Sequence, residues 1–208
     1  MPKDTKGKLI VIYGINNLGK STQAKLLVST LNERGYVTEY LKYPIYNLEP
    51  TGPEINKILR GGGAQKISEV DLQRLYAQNR FDYQSVLSKT LAQGIHVVAE
   101  DYTGTGIAWG VTKGAMLEVL EQINQGLLVE DIAILLDGER FLEGKESDHL
   151  HERDDNLMHR CRQTHLDLAK RYHWRIIPAN GSIEAVKNDI WELMLPLVHN
   201  PEISKLER

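Results

Sequence analysis

The chain has 208 residues, with 25 Lys and Arg against 28 Asp and Glu and a formal net charge of -3; no global positive field exists to hold a nucleic acid polymer, so any anion is bound locally. That length suffices for one domain with a real core. A single cysteine, Cys161, excludes an internal disulfide and suits a reducing compartment. The absence of an apolar run near ~18 residues and of an apolar signal region in Met1 to Lys8 makes the cytoplasm, away from membranes, the default expectation.

The first element carries most of the chemistry. Lys8 to Tyr13 is an apolar run that stops at Gly14, and a helical pattern begins at Lys20, so the stretch reads as strand, glycine loop, helix. Gly14, Gly19, Lys20 and Ser21 match GxxxxGK[ST], in which backbone N–H groups surround a phosphate, the lysine reaches the β/γ-phosphates and the hydroxyl meets Mg²⁺. The helix N-terminus adds its positive dipole end. Asn16, Asn17 and Leu18 within the loop, and Thr22 after it, join these four as candidate nucleotide contacts. ATP and Mg²⁺ are the cofactors this motif implies.

Further along, strand-like and helix-like segments alternate. Ala24, Leu27, Val28 and Leu31 mark one face of a helix from Lys20 to Arg34, ended by Gly35. Tyr36 to Tyr43 reads as a second strand stopped by Pro44, Asn47 to Pro53 as turn, and Glu54 to Arg60 as a short helix before Gly61-Gly62-Gly63, a connection with no strand ahead of it. Ser68 to Gln93 is the longest helical pattern, with Ser68 as N-cap and Val70, Leu72, Leu75, Tyr76, Asn79, Val86, Leu87 and Leu91 turned inward. Ile95 to Ala99 is a third strand leading into Glu100 and Asp101. Asp131 to Asp137 and Trp174 to Pro178 are a fourth and a fifth, and Asn156 to Tyr172 and Ile183 to Val198 are helical.

This order predicts an α/β fold: a five-stranded, mostly parallel sheet with helices on both faces, in one domain spanning 1–208. Ligands of such sheets sit beyond the carboxyl ends of the strands, so Glu100 and Asp101 should face the glycine loop. The charged stretch 138–155 holds Asp148, His149, His151 and Glu152, whose order does not match a usual zinc pattern.

Five stretches together resemble the thymidylate kinases, a branch of the P-loop nucleoside monophosphate kinases: Gly14 to Thr22, Leu75-Tyr-Ala-Gln-Asn-Arg80, Glu100-Asp-Tyr-Thr-Gly-Thr-Gly-Ile-Ala-Trp109, His151-Glu-Arg153 and Ser182-Ile-Glu-Ala-Val186. The resemblance implies a P-loop NTPase fold, phosphoryl transfer from ATP to dTMP, a short lid at about 138–155, and dimerisation through helices. It assigns Tyr76 to stack on the base, Arg80 to hydrogen-bond it, Tyr102 and Thr105 to the substrate pocket, and Arg153 to the lid. Lys20, Glu100, Asp101 and Arg153 become the expected catalytic set, with Ser21 and Glu100 toward the metal.

The departures are as informative. Family members carry Asp-Arg-Tyr where this chain has Glu100-Asp101-Tyr102, and Tyr46 stands where a second substrate-phosphate arginine is expected. Asn16 replaces an acid near the sugar, and Asn17 an arginine. A carboxylate ~4 Å from a phosphate dianion is repelled by several kcal/mol at an effective dielectric of about 20. Lys42 or Arg60 stands near enough in sequence to supply replacement charge. Three function classes follow: a dTMP kinase, a kinase of the same fold with another acceptor such as a deoxynucleoside or a different monophosphate, or a nucleotide-binding protein without turnover.

Overall fold

The computed structural model describes residues 6–60, 67–141 and 155–198. Strand β1 (Leu9–Tyr13) is buried throughout and lies third in a five-stranded sheet, followed along the chain by β2 (Thr38–Lys42), β3 (His96–Glu100), β4 (Ile132–Asp137) and β5 (Arg175–Pro178). The order is β2-β3-β1-β4-β5 and every pairing is parallel. A strand with parallel neighbours and helices on both faces has no wet side, which is why Leu-Ile-Val-Ile-Tyr reads as unbroken apolar sequence.

The two faces have separate cores. Ile10 and Ile12 point to one side, where α1 (Lys20–Glu33) and α7 (Ile183–Val198) bring Leu27, Leu31, Ile190 and Met194. Leu9, Val11 and Tyr13 point to the other, against α3 (Glu69–Ala92), α4 (Thr103–Thr112) and α6 (Asp155–Tyr172), which supply Leu87, Ile107, Ala108 and Leu168. Cys161 lies wholly inside; burial pushes its thiol up to about 12, so it is inert.

Several expectations shift. Helix α2 (Thr51–Arg60) starts three residues before the predicted Glu54, because Pro53 falls in the first turn, where no amide donor is needed. Strand β2 is shorter than Tyr36 to Tyr43, since the Tyr36 amide is taken by the Leu31 carbonyl at the end of α1, 3.0 Å away. Val86 is 48% exposed, not inward, while its neighbour Leu87 is buried. Ser68 does cap α3, its Oγ accepting from the Asp71 amide at 3.1 Å. The triple glycine lies outside the described residues.

Two helices, α4 and α5 (Leu117–Ile123), are not among the sequence-derived elements. Gly104, Gly106 and Gly110 each lower intrinsic helix propensity by about 1 kcal/mol relative to alanine, and α4 is buried almost all round, so it has no polar face to reveal a period. Its glycines let it approach closely. A Cβ on Gly104 would stand 2.5 Å from the ring of Trp174, which itself stacks on Tyr13 with centroids 4.3 Å apart. Gly104→Ala is expected to destabilise the fold by about 1–3 kcal/mol, the usual range for overpacking, measured as a lower midpoint in urea at unchanged m-value.

Candidate active site

The loop between β1 and α1 forms one end of a cavity of about 480 Å³ at the carboxyl edge of the sheet. Gly14 has φ +142 and a Cβ there would stand 2.7 Å from the Leu136 carbonyl oxygen, so only glycine lets the loop leave β1 this close to β4. Lys20 Nζ donates to the carbonyls of Gly14 at 2.8 Å and Ile15 at 3.0 Å, and lies 3.8 Å from Asp101 Oδ1. Asn16, Asn17, Gly19, Lys20, Ser21 and Thr22 line the cavity. Gly14 and Leu18 do not: Gly14 packs under the loop, and Leu18, 2% exposed, belongs to the core beneath it. After β4 the chain crosses the loop, the Phe141 amide donating to the Asn17 carbonyl at 2.9 Å.

Beside the loop, Glu100 is 3% exposed and ends β3. Ser21 Oγ donates to its Oε1 at 2.8 Å, Lys42 Nζ to the same oxygen at 2.9 Å, and the Tyr40 hydroxyl to Oε2. Burial alone would raise this carboxyl, but the hydrogen bonds from Tyr40, Lys42 and Ser21 prevail and hold it below its usual value. Asp101, one residue on, is the opposite case. Burial drives its carboxyl up, and Lys20 and the 2.8 Å bond from Thr105 Oγ1 do not fully offset that. Its backbone also sits at φ 62, a left-handed conformation uncommon outside glycine.

The far end of the cavity is aromatic and cationic. Tyr76, Tyr46 and Arg80 line it, Thr105 lines the wall beside Asp101, and the Arg60 guanidinium lies 5.0 Å from the Tyr46 ring. Arg80 is 5% exposed, donates Nη1 to Asn124 Oδ1 at 3.0 Å, and has no partner for Nε among the described residues. Gly106 makes room for this arrangement: a Cβ there would stand 2.8 Å from Gln73 Oε1 and 2.9 Å from an Arg80 nitrogen. Tyr102 corrects an expectation. It does not line the cavity but lies in the core behind it, 1% exposed, 5.3 Å from the Tyr43 ring and 6.0 Å below the Arg80 guanidinium.

Sequence reading missed Tyr40, Asn79, Gln73 and Asn124. Asn79 is inward as expected and fully buried; it accepts from the Ile45 amide at 2.8 Å and donates to the Ile45 carbonyl at 3.1 Å, tying the turn after β2 to α3. Tyr40 and Lys42 had a usable signal, since alternate residues near a strand end share a face. Arg153, the acids and histidines near it, and most of 138–155 lie outside the described residues.

Comparison with known proteins then fixes the family. The thymidylate kinase family model matches residues 12–190. The chain belongs to the thymidylate kinase family. Thymidylate kinase of Homo sapiens is 31% identical over 193 residues, 89% of this chain and 88% of that protein. That of Plasmodium falciparum is 30% identical over 203 residues, 95% and 94% respectively. The solved thymidylate kinase of Candida albicans, 24% identical, covers 91% of both chains with a TM-score of 0.75 and has the same fold. A thymidylate kinase is a nucleoside monophosphate kinase, an enzyme that binds nucleotides.

Against that family, the differences noted in the sequence now have surroundings. Asp101, where the resemblance leads one to expect an arginine, faces Lys20, and Tyr46, where it leads one to expect another, carries Arg60 on its ring. The Ser21 hydroxyl and Glu100 carboxylate are hard oxygen donors held together, with the carboxylate kept ionised, and suit Mg²⁺. Asp101 combines a charge largely withdrawn from water, its side chain 17% exposed, with a backbone conformation that asparagine adopts readily. Asp101→Asn is therefore expected to raise stability at neutral pH. The aspartate's raised pKa means that ionisation costs the folded state; that cost is absent at low pH and grows as pH rises through the folded pKa. Thermal melts at pH 7 should show a gain of about 2–4 °C, the shift expected for ~1 kcal/mol in a chain of this size, shrinking as the pH is lowered.

Proposed function

We propose that the chain transfers the γ-phosphoryl group of ATP to dTMP, giving dTDP and ADP, and that residues 1–208 work as one kinase domain. Membership of the thymidylate kinase family carries this reading, and a cavity that joins the GxxxxGKS loop to an aromatic, guanidinium-bearing wall supports it. The loop amides and Lys20 hold the donor phosphates. Tyr76 stacks on the base, Arg80 donates to its carbonyl edge, and Thr105 lines the pocket beside them.

An oxygen of the acceptor phosphate attacks the γ-phosphorus in line while the bond to the β–γ bridging oxygen breaks, and ADP leaves with that oxygen. The acceptor phosphate is already a dianion at neutral pH, so no protein base is needed. Because the transition state is loose and highly charged, the residues act by positioning and by positive charge. Ser21 and Glu100 would hold Mg²⁺, which when bound neutralises charge on the donor phosphates. Asp101 holds Lys20 and Thr105 in place around the transferring group. We place the enzyme in the cytoplasm, which suits its lone buried thiol, and carry over homodimerisation as an expectation from the family; no described helix is long and apolar enough to cross a membrane.

A coupled ADP-release assay over deoxynucleosides and their monophosphates tests the reading. Turnover with dTMP supports it; turnover with thymidine alone moves the acceptor to an unphosphorylated nucleoside, and ATP binding without any acceptor removes the activity. Lys20→Ala is expected to abolish turnover with circular dichroism unchanged. Glu100→Gln should lower kcat ten-fold or more; an unchanged rate at saturating Mg²⁺ would take Glu100 out of the metal site.

A further inference from the structure

The family resemblance leaves one question sharpened by the geometry: which cation meets the acceptor phosphate, given Asp101 and Tyr46 where arginines are expected. Among the described residues lining the cavity, the cations are Lys20, Lys42, Arg60 and Arg80. Lys20 is enclosed by two loop carbonyls and Asp101. Arg80 is buried at the aromatic end and bound to Asn124. Arg60 rests on the Tyr46 ring and donates to the Asn56 side chain.

Lys42 differs from Lys20 and Arg80 in its exposure, and from the exposed Arg60 in standing at a strand end beside Glu100 and Ser21. It is the last residue of β2, paired in register with Glu100, so the sheet itself delivers it to the edge where Ser21 and the loop stand. Its side chain is 48% exposed while that of its partner Glu100 is 4% exposed, so the ammonium lies on the open side of the ion pair. One of its three N–H donors serves Glu100, which leaves two for a second anion. Glu100 keeps Ser21 and Tyr40 if the ammonium turns toward that anion, so the buried carboxylate is not stranded.

We propose that Lys42 is the acceptor-phosphate ligand of this enzyme, bridging Glu100 and the 5′-phosphate of the nucleoside monophosphate in place of the missing arginine clamp. This rests on the monophosphate-acceptor reading above. The ammonium is a compact point charge on a flexible stem and can serve both anions at once, whereas an arginine fork is matched to one.

The experiment compares dTMP with thymidine, which differ only in the phosphate, by calorimetric titration of the full chain without ATP. Lys42→Met is expected to weaken dTMP binding ten-fold or more while thymidine stays within two-fold, and Lys42→Arg to recover most of the loss. In steady-state assays Lys42→Met should raise KM for dTMP by a similar factor with KM for ATP within two-fold. Unchanged dTMP affinity overturns the assignment. Equal weakening of dTMP and thymidine also overturns it, making Lys42 a strut for Glu100. Failure of the unsubstituted protein to turn over dTMP would instead overturn the acceptor reading itself, so the two failures are told apart.

Discussion

Glu100 is a carboxylate taken out of water, and a charge in that position is tolerated only when its lone pairs are filled. Three donors from two other elements fill them: Ser21 at the start of α1, and Tyr40 and Lys42 at the end of β2. The ion pair is also a sheet register, because Lys42 and Glu100 are ladder partners in the β2–β3 pairing. Slipping β2 by one residue would turn Tyr40 and Lys42 to the opposite face and leave Glu100, held by β1, without them. The carboxylate thus ties together the phosphate loop, the edge strand and the central sheet. The turn that leaves β2 then runs to Ile45, where buried Asn79 holds it against α3. The loop side and the aromatic side of the cavity are positioned through this one chain of polar contacts.

How much of this was legible follows from how local each signal is. The β1, loop and α1 unit occupies one continuous stretch, and its glycine spacing and apolar run are fixed by steric demands of that stretch alone, so residue types reported it. The acids at the end of β3 were placed by a topological rule that holds for any parallel sheet. Helix α4 was hidden because the feature that makes it work, small residues that let it press on Trp174 and Arg80, is what lowers its helix propensity. Tyr102 was misplaced for a related reason: its motif sits beside the cavity, but a helix start at Thr103 turns its ring into the core behind Arg80. Tyr40 and Asn79 act across 60 and 34 residues of sequence, and nothing in their immediate neighbours marks such partners.

Charge explains how the chain departs from its family without losing an anion site. At ~4 Å and an effective dielectric of about 20, each unit charge pair is worth about 4 kcal/mol, so Glu100 and the additional carboxylate of Asp101 would weigh heavily against an anion in the cavity if left alone. Each is instead countered by a lysine: Asp101 faces Lys20 at 3.8 Å and Glu100 meets Lys42 at 2.9 Å. These pairs bring the local sum near zero, and the helix N-terminus and loop amides contribute positive potential on top of it. Under the proposed function, attraction for phosphate would come from these oriented dipoles and from lysines whose remaining N–H donors are not taken by the carboxylates.

Such sharing demands a rigid frame, and the strain at Asp101 shows where that rigidity is used. A non-glycine residue at φ 62 with a buried carboxyl persists only when its surroundings over-determine it. Here the Asp101 amide is fixed to the Ile12 carbonyl at 3.1 Å, continuing the β1–β3 pairing, and its side chain is fixed by Thr105 one helical turn later. The backbone therefore reverses direction between the sheet and α4 at the point where the carboxylate must meet Lys20. The same turn starts α4, whose Gly106 packs on Arg80, so the strained residue joins the loop lysine to the aromatic wall of the cavity through one short stretch of chain.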